Sequence, residues 1–186
     1  YKLLAIHRNT GKVAWEKTLR EAPPVEETHH RTASFASNSG ITDGEHLYAY
    51  FGSQGLYCLD FEGHLKWEQD LGDMTTRNSF GEGSSPAIQG DIMVVNWDHE
   101  KDSFIVALDK RSGKELWRQS RNEPSSWSTP LIVEFASKHQ VIVSASNKTR
   151  SYDLTTGAVI WECAGLGTNV IPTPLYRDGV VYVASG

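Results

Sequence analysis

Residues 107–117, ALDKRSGKELW, decide the reading of this chain, because the same module returns three more times. The other copies are AIHRNTGKVAW (5–15), CLDFEGHLKW (58–67) and SYDLTTGAVIW (151–161). In each, a tryptophan stands four residues after a glycine: Gly11 and Trp15, Gly63 and Trp67, Gly113 and Trp117, Gly157 and Trp161. The four tryptophans are 52, 50 and 44 residues apart, a period at which supersecondary units repeat in arrays. A large aromatic at a fixed offset from a turn glycine is first of all an architectural signal.

Working outward, the same order of segments surrounds each module. A Gly- or Pro-marked stretch comes first (37–42, 84–89, 128–134, 171–177), then a short polar turn: Asp43-Gly44, Gly90-Asp91, Ser137 to His139, Asp178-Gly179. Asp-Gly and Gly-Asp supply the positive φ that tight hairpins need. The runs Leu47–Phe51, Ile92–Val95, Val141–Val143 and Val180–Val183 follow, β-branched and aromatic, and too short for helices. Each module then adds two strands around its glycine turn. The unit is four antiparallel strands, a to d, and the fold class is all-β: a β-propeller of four-stranded blades. The expected layout is a c–d half blade over 1–20, blades over 34–71, 84–118 and 127–162, and an a–b half blade over 170–186.

The residue types fit this geometry. Asp109 and Asp153 stand four residues before their glycines and Asp60 three, where a carboxylate can accept the N–H groups of a tight turn. Gly11, Gly63, Gly113 and Gly157 suit the left-handed conformation that a Cβ would penalise. Trp15, Trp67, Trp117 and Trp161 offer flat faces, each worth roughly 150–250 Å² of burial against a neighbouring blade. The first position of the module is always small (Ala5, Cys58, Ala107, Ser151), as close approach of two sheets requires, so Cys58 reads as a buried small residue.

These modules resemble the tryptophan-docking repeat, A-x-D-x-x-T-G-x-x-x-W, of the pyrroloquinoline-quinone (PQQ) repeat family. That family includes quinoprotein alcohol dehydrogenases and the propeller lipoprotein of the outer-membrane β-barrel assembly machinery. The likeness extends over essentially the whole chain, since the strands at Ser84-Ser85-Pro86, Ser128-Thr129-Pro130 and Pro172-Thr173-Pro174 also fit. His7 departs from the usual Asp, and the second copy is one residue short. Family propellers commonly have seven or eight blades, so the expectation is an arc of a larger ring. The alternative is a four-bladed ring closed by pairing the two half blades.

Composition narrows the function classes. The 186 residues are 39% hydrophobic and 10% aromatic, enough for a sizeable core, and a net charge of −5 without a basic run argues against nucleic acid. No stretch of about 18 apolar residues is present to form a membrane span. The chain shows no initiator Met, charged n-region or signal-peptide core, so a leader, if there is one, is expected upstream. The resemblance implies a periplasmic or secreted location.

In up-down blades the d–a and b–c connections share one side of the disc, and here they are the long, irregular ones, which is where binding residues concentrate. The candidate ligand-face residues are His29, His30, Arg77, Asn78, Arg121, Trp127 and Asn169. His29 and His30 point to opposite sides of an extended segment, so joint chelation is not expected, and no metal or catalytic residue is assigned. The run Asp98 to Asp102 reads as a solvated hairpin tip.

No adjacent cysteines, calcium-binding set or nucleophile–base pair is recognisable. The resulting expectation is a non-enzymatic scaffold without a cofactor, presenting its loop face to a protein or an extended or small ligand, with self-association of the open arc. The alternative is a fragment of a PQQ-dependent oxidoreductase, which would require PQQ and calcium.

Overall fold

The computed structural model describes residues 1–27 and 34–186, and its strands fall into five antiparallel sheets. The first pairs β1 (Lys2–Ile6) with β2 (Val13–Thr18). Three four-stranded sheets follow. They are β3 (Ile41–Thr42), β4 (Leu47–Tyr50), β5 (Leu56–Leu59) and β6 (Leu65–Gln69); β7 (Ala87–Gln89), β8 (Ile92–Trp97), β9 (Phe104–Asp109) and β10 (Glu115–Ser120); and β11 (Leu131–Phe135), β12 (Lys138–Val143), β13 (Thr149–Asp153) and β14 (Val159–Cys163). The last pairs β15 (Leu175–Arg177) with β16 (Val180–Tyr182). In every sheet neighbours in space are neighbours in sequence. These are three full blades flanked by two half blades. The half blades remain separate two-stranded sheets, so the chain is an open arc and the four-bladed ring does not form.

The middle strands read as continuous apolar runs because both faces of each blade are covered. Met93 and Val95 face the blade before, packing with Tyr48, Leu56 and Cys58, whereas Val94 faces the blade after, with Val141, Val143 and Tyr152. The first full blade turns Ala49, Tyr57 and Leu59 toward Leu3 and Leu19 of the half blade. Strand d is mostly solvent-facing, and its tryptophan is the inward exception.

Those tryptophans tie each blade to the next. The indole N–H of Trp15 donates to Phe61 O at 2.9 Å, that of Trp67 to Lys110 O at 3.0 Å and that of Trp117 to Leu154 O at 2.9 Å. Each acceptor is the residue after the turn aspartate. Asp109 Oδ1 in turn accepts the N–H groups of Arg111 and Ser112, and Asp153 Oδ1 those of Thr155 and Thr156. Asp60 Oδ1 holds the shorter turn through Glu62 and His64.

At the inner edge, hydroxyls join successive a strands: Ser39 N–H donates to Ser85 Oγ, Ser85 N–H to Thr129 Oγ1 and Ser128 Oγ to Pro172 O, at 2.8, 3.0 and 3.1 Å. That is the physical use of the Ser/Thr-Pro pattern.

One turn differs from expectation. The hairpin after β11 reverses at Ala136-Ser137, both at positive φ (50° and 62°), so Lys138 and His139 are already in β12. Two consecutive left-handed residues form the tight turn that matches strand twist, here without glycine.

Candidate functional site

Among the described residues, the d–a and b–c connections meet on one side and are stitched to one another. Three carboxylates do most of this. Glu26 accepts the Thr76 N–H with both oxygens at 2.9 Å, Glu100 accepts the Ser125 N–H at 3.1 Å, and Glu123 accepts those of Asn147 and Lys148 at 2.8 and 3.1 Å. Glu100 N–H also donates to Thr75 O at 2.8 Å, across blades. Burial works against ionisation of Glu100, but the Ser125 donors and the Arg77 charge hold its carboxyl below the ordinary range. A rim built this way is rigid although it is made of loops.

Arg77, Trp127 and Asn169 come together on this rim. Arg77 N–H donates to Ser125 Oγ at 2.9 Å and its guanidinium reaches Thr168 O at 3.1 Å, beside Asn169. Trp127 N–H donates to Val170 O at 2.8 Å and its indole N–H to Gly81 O at 2.7 Å. Phe80 lies 6.2 Å from the Trp127 ring. Asn78 and Ser79 both sit at φ 52°, a conformation that non-glycine residues rarely adopt, held by Ser79 N–H on Thr76 O.

Beneath these residues an open cleft of about 600 Å³ is lined by Phe80, Glu82, Ser85, Trp127, Asn169 and Ile171, among others. It is an apolar floor with a few convergent polar groups, the usual composition of a recognition site. Burial pushes the Glu82 carboxyl up, against the lowering effect of the Ser53 hydroxyl and N–H that it accepts. No sequence motif marks Phe80 or Glu82. Phe80 could have been found as the aromatic that ends the Arg77–Ser79 turn.

Two expectations are corrected. Arg121 is not on the ligand face. Its side chain is fully buried and clamped to Asp98 by two bonds, Nε to Oδ1 at 2.7 Å and Nη2 to Oδ2 at 3.0 Å, with Nη1 on the Tyr152 hydroxyl. Burial disfavours the charge, yet Asp98 outweighs it and raises the Arg121 pKa. Asp98 and His99 are accordingly not a solvated tip: they are 3% and 4% exposed, and only Glu100, Lys101 and Asp102 face solvent. Ser126 and Asn96 complete the shell around Asp98, and Thr75 N–H donates to His99 Nδ1. His29 and His30 lie outside the described residues.

Among the described residues no three His, Cys, Asp or Glu side chains converge on a metal position, and Glu82, a carboxylate on the cleft, already accepts from Ser53. Nor, among the described residues, is any helix long and apolar enough to cross a membrane.

The family described as outer membrane protein assembly factor BamB matches residues 1–186. A protein of that name from Francisella salina is 33% identical over 82 residues, which are 43% of this chain and 14% of the relative. The crystal structure of BamB from Moraxella catarrhalis superposes with a TM-score of 0.68 at 21% identity, covering 94% of this chain and 50% of that one. A europium-containing methanol dehydrogenase superposes with a TM-score of 0.53 at 20% identity, covering 73% of this chain and 26% of that one, a likeness of fold. The chain therefore spans about half the length of the Moraxella structure.

Proposed function

The chain belongs to the family of outer membrane protein assembly factor BamB, and from that premise we propose that it is a non-enzymatic scaffold acting on the periplasmic side of the outer membrane. It presents the d–a and b–c loop face to a protein partner and works without a bound cofactor. The observation that carries this reading is the stitched rim with Phe80 and Trp127 beside the 600 Å³ cleft. Glu26 and Glu123 are engaged in holding loops, and Phe80 and Trp127 offer aromatic surface beside the solvent-facing charges of Glu100, Lys101 and Asp102, an aromatic anchor with a polar rim as at protein contacts.

Recognition would then rest on presentation. Loops already held in place lose little freedom when a partner binds, so most of the contact energy is kept for affinity. A photo-crosslinking residue at Phe80, compared with one at Lys114 on the opposite side of the blades, tests this in a Gram-negative cell envelope. Adducts to an outer-membrane assembly protein from position 80 alone support the reading. Equal labelling from both positions, or none from position 80, contradicts it.

The likeness to a methanol dehydrogenase gives a second reading, a fragment of a quinone-dependent oxidoreductase, its own test. Titration calorimetry with PQQ plus calcium is expected to show no saturable heat. Saturable micromolar binding at one site would favour the oxidoreductase.

A further inference from the structure

Four consecutive backbone amides in the connection between the first two full blades each donate to a side chain from a different connection. Met74 N–H reaches Ser53 Oγ at 2.8 Å, Thr75 N–H reaches His99 Nδ1 at 3.1 Å, Thr76 N–H reaches Glu26 at 2.9 Å and Arg77 N–H reaches Ser125 Oγ at 2.9 Å. Ser53 lies in the b–c turn of the first full blade and His99 in that of the second, while Glu26 and Ser125 come from the d–a connections before and after. Residues 71–76 belong to no strand, so these bonds satisfy the backbone where a sheet ladder otherwise would. The segment leads directly into Arg77, the left-handed pair Asn78 and Ser79, and Phe80.

Of the four acceptors, His99 is the one that a single proton abolishes. Hydroxyl and carboxyl groups keep an acceptor oxygen in either protonation state, whereas an imidazole nitrogen accepts only while it carries no proton. In this arrangement the His99 proton is therefore on Nε2 and the ring is neutral. A second proton would set a ring N–H against the Thr75 N–H. The ring has little room to turn away. His99 is buried, its backbone N–H donates to Ser103 Oγ at 2.9 Å, its carbonyl accepts from the same hydroxyl at 3.0 Å, and Trp97 stands edge-on at 6.4 Å. Thr75 is the freer partner, tied back by the Glu100 N–H on its carbonyl at 2.8 Å. The ionisable groups on the elements around the ring are Asp98 and Glu100 on its own loop, Asp73 and Arg77 on the amide segment, Glu26 before it, and Arg121 and Glu123 after it. Asp98 is clamped by Arg121 and Glu123 by Arg150, and Glu100, whose ionisation a charged ring would favour, already has Arg77 at 3.6 Å.

We propose that His99 is a proton-operated latch on the loop face. Neutral, it holds Thr75 and fixes the segment that carries Arg77 and Phe80; protonated, it releases that segment while the blades stay packed. The direction follows from the bond. The neutral ring makes it, so the latch is closed on the alkaline side and opens as pH falls through the range, about pH 8 to 5, in which histidines ordinarily change charge. Release is assisted by the strain held at Asn78 and Ser79, both at φ 52°. The blades are spared because their docking bonds run from indole N–H groups to backbone carbonyls, which do not titrate. The latch concerns the shape of the loops and stands apart from whatever partner the loop face takes.

Amide hydrogen exchange read by NMR at about pH 7.5 and about pH 5.5, on either side of the middle of the histidine range, tests the latch. Thr75 is compared with Val94 in the buried strand β8, each corrected for the intrinsic pH dependence of exchange. Protection of Thr75 should fall by about fivefold or more relative to Val94 at the lower pH, the equilibrium equivalent of one lost hydrogen bond. His99→Asn places a non-titrating amide oxygen near the Nδ1 position and should keep Thr75 protected at both values. His99→Phe has no acceptor and should leave Thr75 unprotected at both, with circular dichroism checking that it stays folded. In the wild type, long-range proton–nitrogen spectra of the imidazole should show the Nε2–H tautomer at the higher pH, a readout that needs no variant. Unchanged relative protection of Thr75 overturns the proposal, as does an equal loss at Val94, the same pH-dependent loss in His99→Asn, or an Nδ1–H tautomer.

Discussion

The indole of Trp117 lies across Gly157 of the following blade, so close that a Cβ on the glycine would stand 2.6 Å from the ring, while its N–H donates to Leu154 O at 2.9 Å. Two requirements fall on the one glycine. Its φ of 73° disfavours any side chain, and the flat ring occupies the space a side chain would need. The tryptophan is also doubly constrained, since its face needs a bare backbone and its edge needs a carbonyl placed by the Asp153 turn. A module that satisfies all of this once per blade fixes the angle between blades as well as their spacing.

The buried pair of Arg121 and Asp98 should behave asymmetrically. Arg121→Met alone strands a buried carboxylate and is expected to cost about 3–5 kcal/mol in urea unfolding. Adding Asp98→Asn should restore part of that loss, because no uncompensated charge then remains. A double variant as unstable as the sum of the singles would contradict this pairing.

Asp43 gives the pH dependence. Burial opposes its ionisation, but Lys110 at 2.8 Å, two backbone N–H groups and the Tyr48 hydroxyl together hold its carboxyl well below the usual carboxylate range. A carboxyl lowered in the folded state contributes stability that is complete above its unfolded value, 3.8, and disappears as pH falls through the folded value. Urea midpoints should therefore drop steeply from about pH 4 downward, and Lys110→Met should flatten that drop. An unchanged acid limb in the variant would show that the pair does not act in this way.

The two thiols should separate cleanly. Cys58 is buried against the blade core, and burial, followed by the nearby Asp43 charge, pushes its pKa up to about 11. Cys163 is exposed at the end of β14. A disulfide-exchange reagent at pH 8 should label one thiol quickly and the second only on unfolding, since the thiolate is the reactive form. Rapid labelling of two thiols in the native protein would contradict the packing of Cys58.

The fold was legible because its determinants are local. A tryptophan four residues after a glycine, an aspartate before it and a turn dipeptide ahead of each b strand all lie within one unit, and repetition made them unmistakable. The candidate site was less legible for the opposite reason. Asp98 and Arg121 are 23 residues apart in two irregular loops, and nothing local says that they bury one another. The run from Asp98 to Asp102 looks like a charged tip, yet its first two residues are covered by Ser103, Ser126 and Arg121 from the chain that follows. Phe80 and Glu82 meet Trp127 only because neighbouring blades bring their connections to one rim.

The most direct test of the account is a double-mutant cycle between Trp117 and Gly157, read from urea unfolding. Gly157→Ala in the wild type should cost the conformational penalty plus the clash, together roughly 2–4 kcal/mol. In a Trp117→Ala background the ring is gone, and the same change should cost only about 1–2 kcal/mol. A coupling of about 1 kcal/mol or more is the predicted result, whereas strict additivity would contradict the docking of each blade on the next.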